Sequence, residues 1–135
     1  MRSYALNRVP IKRRPRMTVR GGHPSTYTDA QTVADEAAVA AAYKGPHFHD
    51  APVAVRIDVY RALPKSTPRR IESEPDVIKP DVDNVAKAVL DGLNGVAYDD
   101  DAQVVDLRIV KHDRTRKAGD SIRFTVEEAR SYGQR

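Results

Sequence analysis

Val82, Val85, Ala86, Val89, Leu90 and Leu93 recur at i, i+3 and i+4, the spacing that lines one face of an α-helix. Asp81 or Asp83 can cap its start, and Asn94-Gly95 is a good stop. Strand-like segments flank it. Val53, Val55, Ile57 and Val59 alternate with Ala54, Arg56 and Asp58, and Val105, Leu107 and Ile109 alternate with Asp106 and Arg108. A helix held between half-buried strands narrows the architecture more than any other feature of the chain.

Acids crowd both ends of this helix. Seven aspartates fall between Asp81 and Asp106, with Lys87 the only base among them. Five of them form two clusters, Lys79-Pro80-Asp81-Val82-Asp83-Asn84 and Tyr98-Asp99-Asp100-Asp101-Ala102-Gln103, in a chain of net charge +4. Packed carboxylates repel one another unless a cation sits among them. A hard divalent ion held by oxygen, Mg²⁺ above all, is the economical explanation. The connection after the helix is short, so the second cluster is expected to return beside the first and share one ion with it in the folded monomer.

The bland alternatives are clear. Asp81 and Asp83 stand where a helix start favours negative charge. Asp83 and Lys87 at i, i+4 can form a surface pair worth about 0.3–0.5 kcal/mol. Asp99 to Asp101 can be a polar turn, although three adjacent acids exceed what a turn needs.

The rest of the chain fills in one domain, residues 1–135. Tyr4 to Val9 reads as a first strand. The basic segment 1–24 carries seven bases and no acid over residues 1–20. It is either a phosphate-binding surface or a solvated arm. Gly21-Gly22-His23-Pro24 reads as a turn or loop. Thr28 and Gln31 fit a capping box before a helix reaching Tyr43 or Lys44, with Ala30, Val33, Ala34, Ala37 and Ala41 as its small apolar face. A proline-rich loop spans Leu63 to Lys79. Ile122, Phe124 and Val126 mark a last strand, with a hairpin loop expected over His112 to Gly119. Residues 129–135 are expected to fray. The order β-α-β-α-β-β predicts an α+β domain, a small mixed sheet with two helices packed on one face.

Several chemistries are excluded. Cysteine is absent, which removes disulfides and thiol catalysis. No apolar run approaches membrane-spanning length, and the N-terminus lacks a signal-peptide core. A cytoplasmic protein is expected. Counting from Asp81, Ala86 and Gly92 stand where an EF-hand needs glycine and glutamate. No phosphate-binding Gly-Lys loop is present, so no nucleotide cofactor is expected. His47-Phe48-His49 has metal-binding residue types, but an isolated pair beside Gly45-Pro46 reads as a loop. Carboxylates, Mg²⁺ and a basic segment together suggest phosphodiester hydrolysis.

The run from Lys79 to Asn94, followed by Tyr98-Asp99-Asp100-Asp101-Ala102-Gln103-Val104, closely resembles the signature of the RusA family of Holliday junction resolvases. Pro10-Ile11-Lys12-Arg13-Arg14-Pro15-Arg16 and Tyr27-Thr28 are similar to its N-terminal pattern. The resemblance covers about Val9 to Val126. It implies a homodimeric, Mg²⁺-dependent endonuclease of bacteria or their phages, with Mn²⁺ as a substitute ion, that cuts four-way DNA junctions in recombination and repair. By motif, Asp81, Asp83 and Asp101 become the catalytic acids and metal ligands, joined by Asp100, with Lys87 supporting the phosphate. Anchoring on Ala102-Gln103-Val104 leaves Asp99 as the extra acid. Lys12, Arg14, Arg16, Arg69, Arg70 and Lys79 become DNA contacts. The rivals are a non-catalytic junction-binding dimer and a nuclease for flaps or other branched nucleic acids.

Overall fold

The structure is a computed structural model. It describes residues 2–13, 16–27, 29–117 and 119–133, without the side chains of 16–18, 20 and 23–27. The elements are β1 (Ser3–Leu6), β2 (Arg16–Arg20), β3 (His23–Tyr27), α1 (Ala30–Ala42), β4 (Val53–Tyr60), β5 (Ser73–Glu74), α2 (Val82–Leu93), β6 (Val104–Lys111), β7 (Arg114–Thr115) and β8 (Ser121–Glu128). A single 3-10 turn, Asp101–Gln103, leads into β6.

Four strands form a mixed sheet in the order β1-β8-β4-β6. β4 runs parallel to β6 and antiparallel to β8. Val53, Val55, Ile57 and Val59 of β4 are buried, as their alternation predicts. With Ile122, Phe124 and Val126 of β8 they face Val39 of α1 and Val85, Val89 and Leu93 of α2. The opposite face of the sheet carries Arg56, Asp58, Arg108 and Arg123 and has no helix over it among the described residues. The result is the expected α+β domain.

Four local expectations are corrected. β6 and β8 are not hairpin neighbours, because β4 lies between them. The His112–Gly119 connection crosses the end of β4 and pairs β7 with β5 on the way. As an edge strand, β6 leaves Val105 and Leu107 exposed at 54% and 42%. The expected cap of α1, Thr28, lies outside the described residues, and Asp29 accepts the backbone N–H of Gln31 at 2.8 Å. The tail holds at Ala129, whose N–H reaches Pro52 O at 2.8 Å, and at Tyr132, whose hydroxyl donates to Asp106.

The largest difference is the face that α1 buries. Ala30, Val33, Ala34, Ala37 and Ala41 are exposed, whereas Thr32, Asp35 and Val39 are buried. Asp35 is tolerated inside because the chain after β1 wraps it. Arg8 and Arg13 pair with its two oxygens, Ile11 N–H donates to it, and Gln31 Nε2 donates at 3.0 Å. A buried charge with such partners escapes the penalty of isolation. Hydrophobic counting cannot see such a stripe. Helices α1 and α2 also approach closely. A Cβ added at Gly92 would lie 2.8 Å from Val39 Cβ and 2.9 Å from Glu36 O. At Gly21 and Gly22, φ is +58° and +80°. Glycine takes these angles freely, and two in succession suit the tight β2–β3 hairpin.

Candidate active site

Helix α2 sets the positions of both acidic clusters. Asp81 is its N-cap residue and Asp83 sits in its first turn, both exposed. The Asp81 carboxylate makes no capping hydrogen bond, so its oxygens are available to another partner. Lys87 lies one turn beyond Asp83 and is exposed. Among the described residues no ion pair joins it to Asp83.

The segment before Asp81 is held from beneath. Arg61 donates to Lys79 O at 2.7 Å and to Asp76 at 3.3 Å. Lys111, the last residue of β6, donates to Ile78 O at 2.6 Å and Pro80 O at 3.0 Å. Asp76 is buried, lies 3.7 Å from Lys111, and leaves its Oδ2 without a partner. Two strand-end cations therefore fix the backbone that delivers Asp81. The Lys79–Pro80 peptide is cis.

The second cluster lies beside the other end of α2. Buried Tyr98 donates its hydroxyl to Leu90 O at 2.7 Å, and burial raises its pKa. Asp99, Asp100 and Asp101 follow. Asp100 caps the 3-10 turn through Ala102 N–H. Gln103 completes a capping box, accepting Asp99 N–H at 2.7 Å and Asp100 N–H at 3.0 Å through Oε1. Its Nε2 donates to Phe48 O and Ala51 O, both at 3.0 Å. Asp101 is exposed.

The expected convergence within one monomer does not occur. A helix of 12 residues is about 18 Å long. The eight residues of β6 separate Asp101 from the Lys111–Pro80 contact by about 23 Å of strand. Carboxylates sharing one Mg²⁺ must each reach within about 2.1 Å of it. Asp81 and Asp83 cannot do so with Asp100 and Asp101 of the same chain. A short connection returns the chain to the end of the helix it has just left, not to the start.

Asp99, the apparent extra acid, has its own partners. Its Oδ1 lies 2.7 Å from His47 Nε2 and 3.0 Å from His49 Nδ1, and Asp50 N–H reaches Oδ2 at 3.3 Å. The His47 hydrogen bond is the main cause of a pKa below the usual carboxylate range. This grouping was missed in the sequence because about 50 residues separate its two halves. The only signals were the His-x-His spacing and an aspartate more than the turn needs.

Lys12 is not a free phosphate contact. Its ammonium bridges Glu36 and Asp91, each at 3.0 Å, so it joins α1 to α2. Hydrogen bonding to Asp91, then Glu36, raises its pKa. Arg14 lies outside the described residues, as does the side chain of Arg16. Arg69, Arg70 and Lys79 are exposed on the loop that leads to Asp81. Arg116 holds that loop through the carbonyls of Thr67, Pro68 and Ile71.

The fold and its acids define a single α+β domain with hard oxygen donors clustered at both ends of one helix. The profile of the family described as "Endodeoxyribonuclease RusA" matches residues 8–126, most of the chain. The chain belongs to the RusA endodeoxyribonuclease family, and with it to the nuclease hydrolases that act on DNA. It is also similar to the "Uncharacterized protein YqaN" of Bacillus subtilis (strain 168). That relative is 35% identical over 109 residues, covering 73% of this chain and 77% of the relative. No helix among the described residues is long and apolar enough to cross a membrane.

Proposed function

We propose that this chain is a Mg²⁺-dependent Holliday junction resolvase working as a homodimer. Each site would take Asp81 and Asp83 from one protomer and the partner's Asp100 and the partner's Asp101. The observation that carries this reading is the separation of the two acidic clusters along α2. The family motif requires both clusters, yet one chain holds them too far apart to share an ion. A second copy related by a twofold would supply the missing acids, and the twofold would create two identical sites for two strands. The exposed apolar edge of β6, Val105 and Leu107, is a surface a second copy would cover.

The donor set fits a hard dication. It is all carboxylate oxygen, and Asp81 is not consumed as a cap. Mn²⁺ accepts the same donors. When bound, such an ion supplies a more acidic water and charge stabilisation at the leaving oxygen. The chain's own groups do the rest. Lys87, on the helix face one turn from Asp83, neutralises the reacting phosphate. Arg69, Arg70 and Lys79, with Arg14 and Arg16, hold the DNA backbone, with affinity falling steeply as salt rises. Lys12 acts from a distance, by fixing the basic segment against both helices.

The test is cleavage of a synthetic four-way junction with Mg²⁺, beside linear duplex and EDTA controls. Asp81→Asn and Asp101→Asn should each lose cleavage on the order of 10³-fold while still binding the junction. Mixing the two inactive variants should restore single-strand nicking, because a mixed dimer rebuilds one intact site out of two. A mixture as inactive as its parts, with mixed dimers verified, would place each site within one chain. Junction binding without cleavage by the unaltered protein would leave a binding module.

A further inference from the structure

We infer that His47, His49 and Asp99 form a second metal site, one that takes a borderline transition-metal dication of the Zn²⁺ or Co²⁺ kind. It is separate from the all-oxygen donors and does not depend on the resolvase reading. One ligand atom from each of the three residues lies within 4.8 Å of the others. His47 Nε2 and His49 Nδ1 both face the same oxygen of Asp99, at 2.7 and 3.0 Å. Two ligands of a tetrahedral ion with bonds near 2.0–2.1 Å stand about 3.3 Å apart. Each imidazole nitrogen therefore needs to draw back from the Asp99 oxygen by only about 0.3–0.6 Å to admit an ion. Metal-free, the same atoms form a His–Asp hydrogen-bonded cluster, and an ion would take the place of the protons between them.

The donor chemistry selects the ion. Two imidazoles and one carboxylate favour Zn²⁺, Co²⁺, Ni²⁺ or Cu²⁺, whereas Mg²⁺ prefers oxygen alone. The site is also supported from outside. The imidazoles stack with centroids 4.2 Å apart. Phe48 N–H is fixed to Ala97 O at 2.8 Å. Gln103 holds the histidine loop with its amide nitrogen and the aspartate turn with its amide oxygen. These contacts fix the two backbone segments that carry the three ligands. His49 is 73% exposed and Asp99 43% in their side chains, so solvent can complete the coordination. An ion here would clip the His47–His49 loop to the turn that carries Asp100 and Asp101, and so would stiffen the second acidic cluster without belonging to it.

The test is a titration of the untagged full chain with Co²⁺ in excess Mg²⁺, read by the d–d absorption of imidazole-bound cobalt. The excess Mg²⁺ keeps carboxylate-only sites filled. One Co²⁺ per chain is expected, displaced by Zn²⁺. Asp99→Asn and His49→Asn should each weaken binding about tenfold or more. Because His49 is exposed, its substitution leaves the fold intact, which circular dichroism verifies. Asp81→Asn should keep the Co²⁺ signal. No stoichiometric uptake, or uptake lost with Asp81→Asn but kept with His49→Asn, would overturn the assignment.

Discussion

The two ends of α2 carry the same side-chain chemistry and are built in opposite ways. At its N-terminal end, Asp81 and Asp83 stand free on the surface while cations work underneath. Arg61 and Lys111 bind the carbonyls of Ile78, Lys79 and Pro80 and flank buried Asp76. At its C-terminal end the positioning agent is a neutral amide. Gln103 ties the turn of Asp99 and Asp100 to the loop around Phe48, and Asp99 is itself engaged by two histidines. An acid offered to a ligand therefore depends on its support. One end relies on buried charge, the other on a closed set of hydrogen bonds.

Removing the support at each end sharpens the contrast. The largest effect is expected from Arg61→Ala combined with Lys111→Ala. Asp76 would be left buried with no counter-charge, at a cost of about 3–5 kcal/mol. Urea unfolding should show the loss. Restoring stability with Asp76→Asn would tie it to that charge, and failure to restore it would undo the account. Gln103→Ala comes next. It deletes four hydrogen bonds between part-buried or exposed groups, some of which water can replace, so about 2 kcal/mol is expected. Hydrogen exchange should quicken at Asp99 and Asp100 while the N-terminal end of α2 stays protected. Equal quickening at both ends would mean that the two supports are one cooperative unit.

The smallest effect concerns pH. Burial works against the charge of Asp58, but hydrogen bonds from Arg56 and His112 outweigh it and lower its pKa below 3.8. A depressed carboxylate contributes stability that is complete above its unfolded value. That contribution fades as pH falls through the lower folded value. Asp58→Asn should therefore cost about 0.5–1 kcal/mol at neutral pH and progressively less as pH drops below about 4. Unfolding curves at pH 7 and pH 3 would show the gap closing. A constant gap would remove the pair from the acid response.

Much of the fold was legible locally. The i, i+3, i+4 pattern located α2, and alternation located β4 and β8, because one buried face imposes its period on the sequence. The concentration of acids was legible too, because seven of the chain's aspartates fall between Asp81 and Asp106 with a single base among them. α1 was found, but with the wrong face buried, since its stripe holds Asp35 and Thr32. The neighbour of β6 was misread because adjacency in sequence does not fix adjacency in a sheet.

Composition and spacing alone determined that the acids concentrate in two short stretches and that the chain folds as a mixed α+β domain, because periodicity and charge density are properties of the linear chain. Only the tertiary structure decided which of those groups meet. It placed α2 antiparallel to the strands it joins, so residues close in sequence stand at opposite ends of a rigid rod. It also brought His47 and His49 to an aspartate some fifty residues away, because a pinned amide closes a loop that no local pattern encodes.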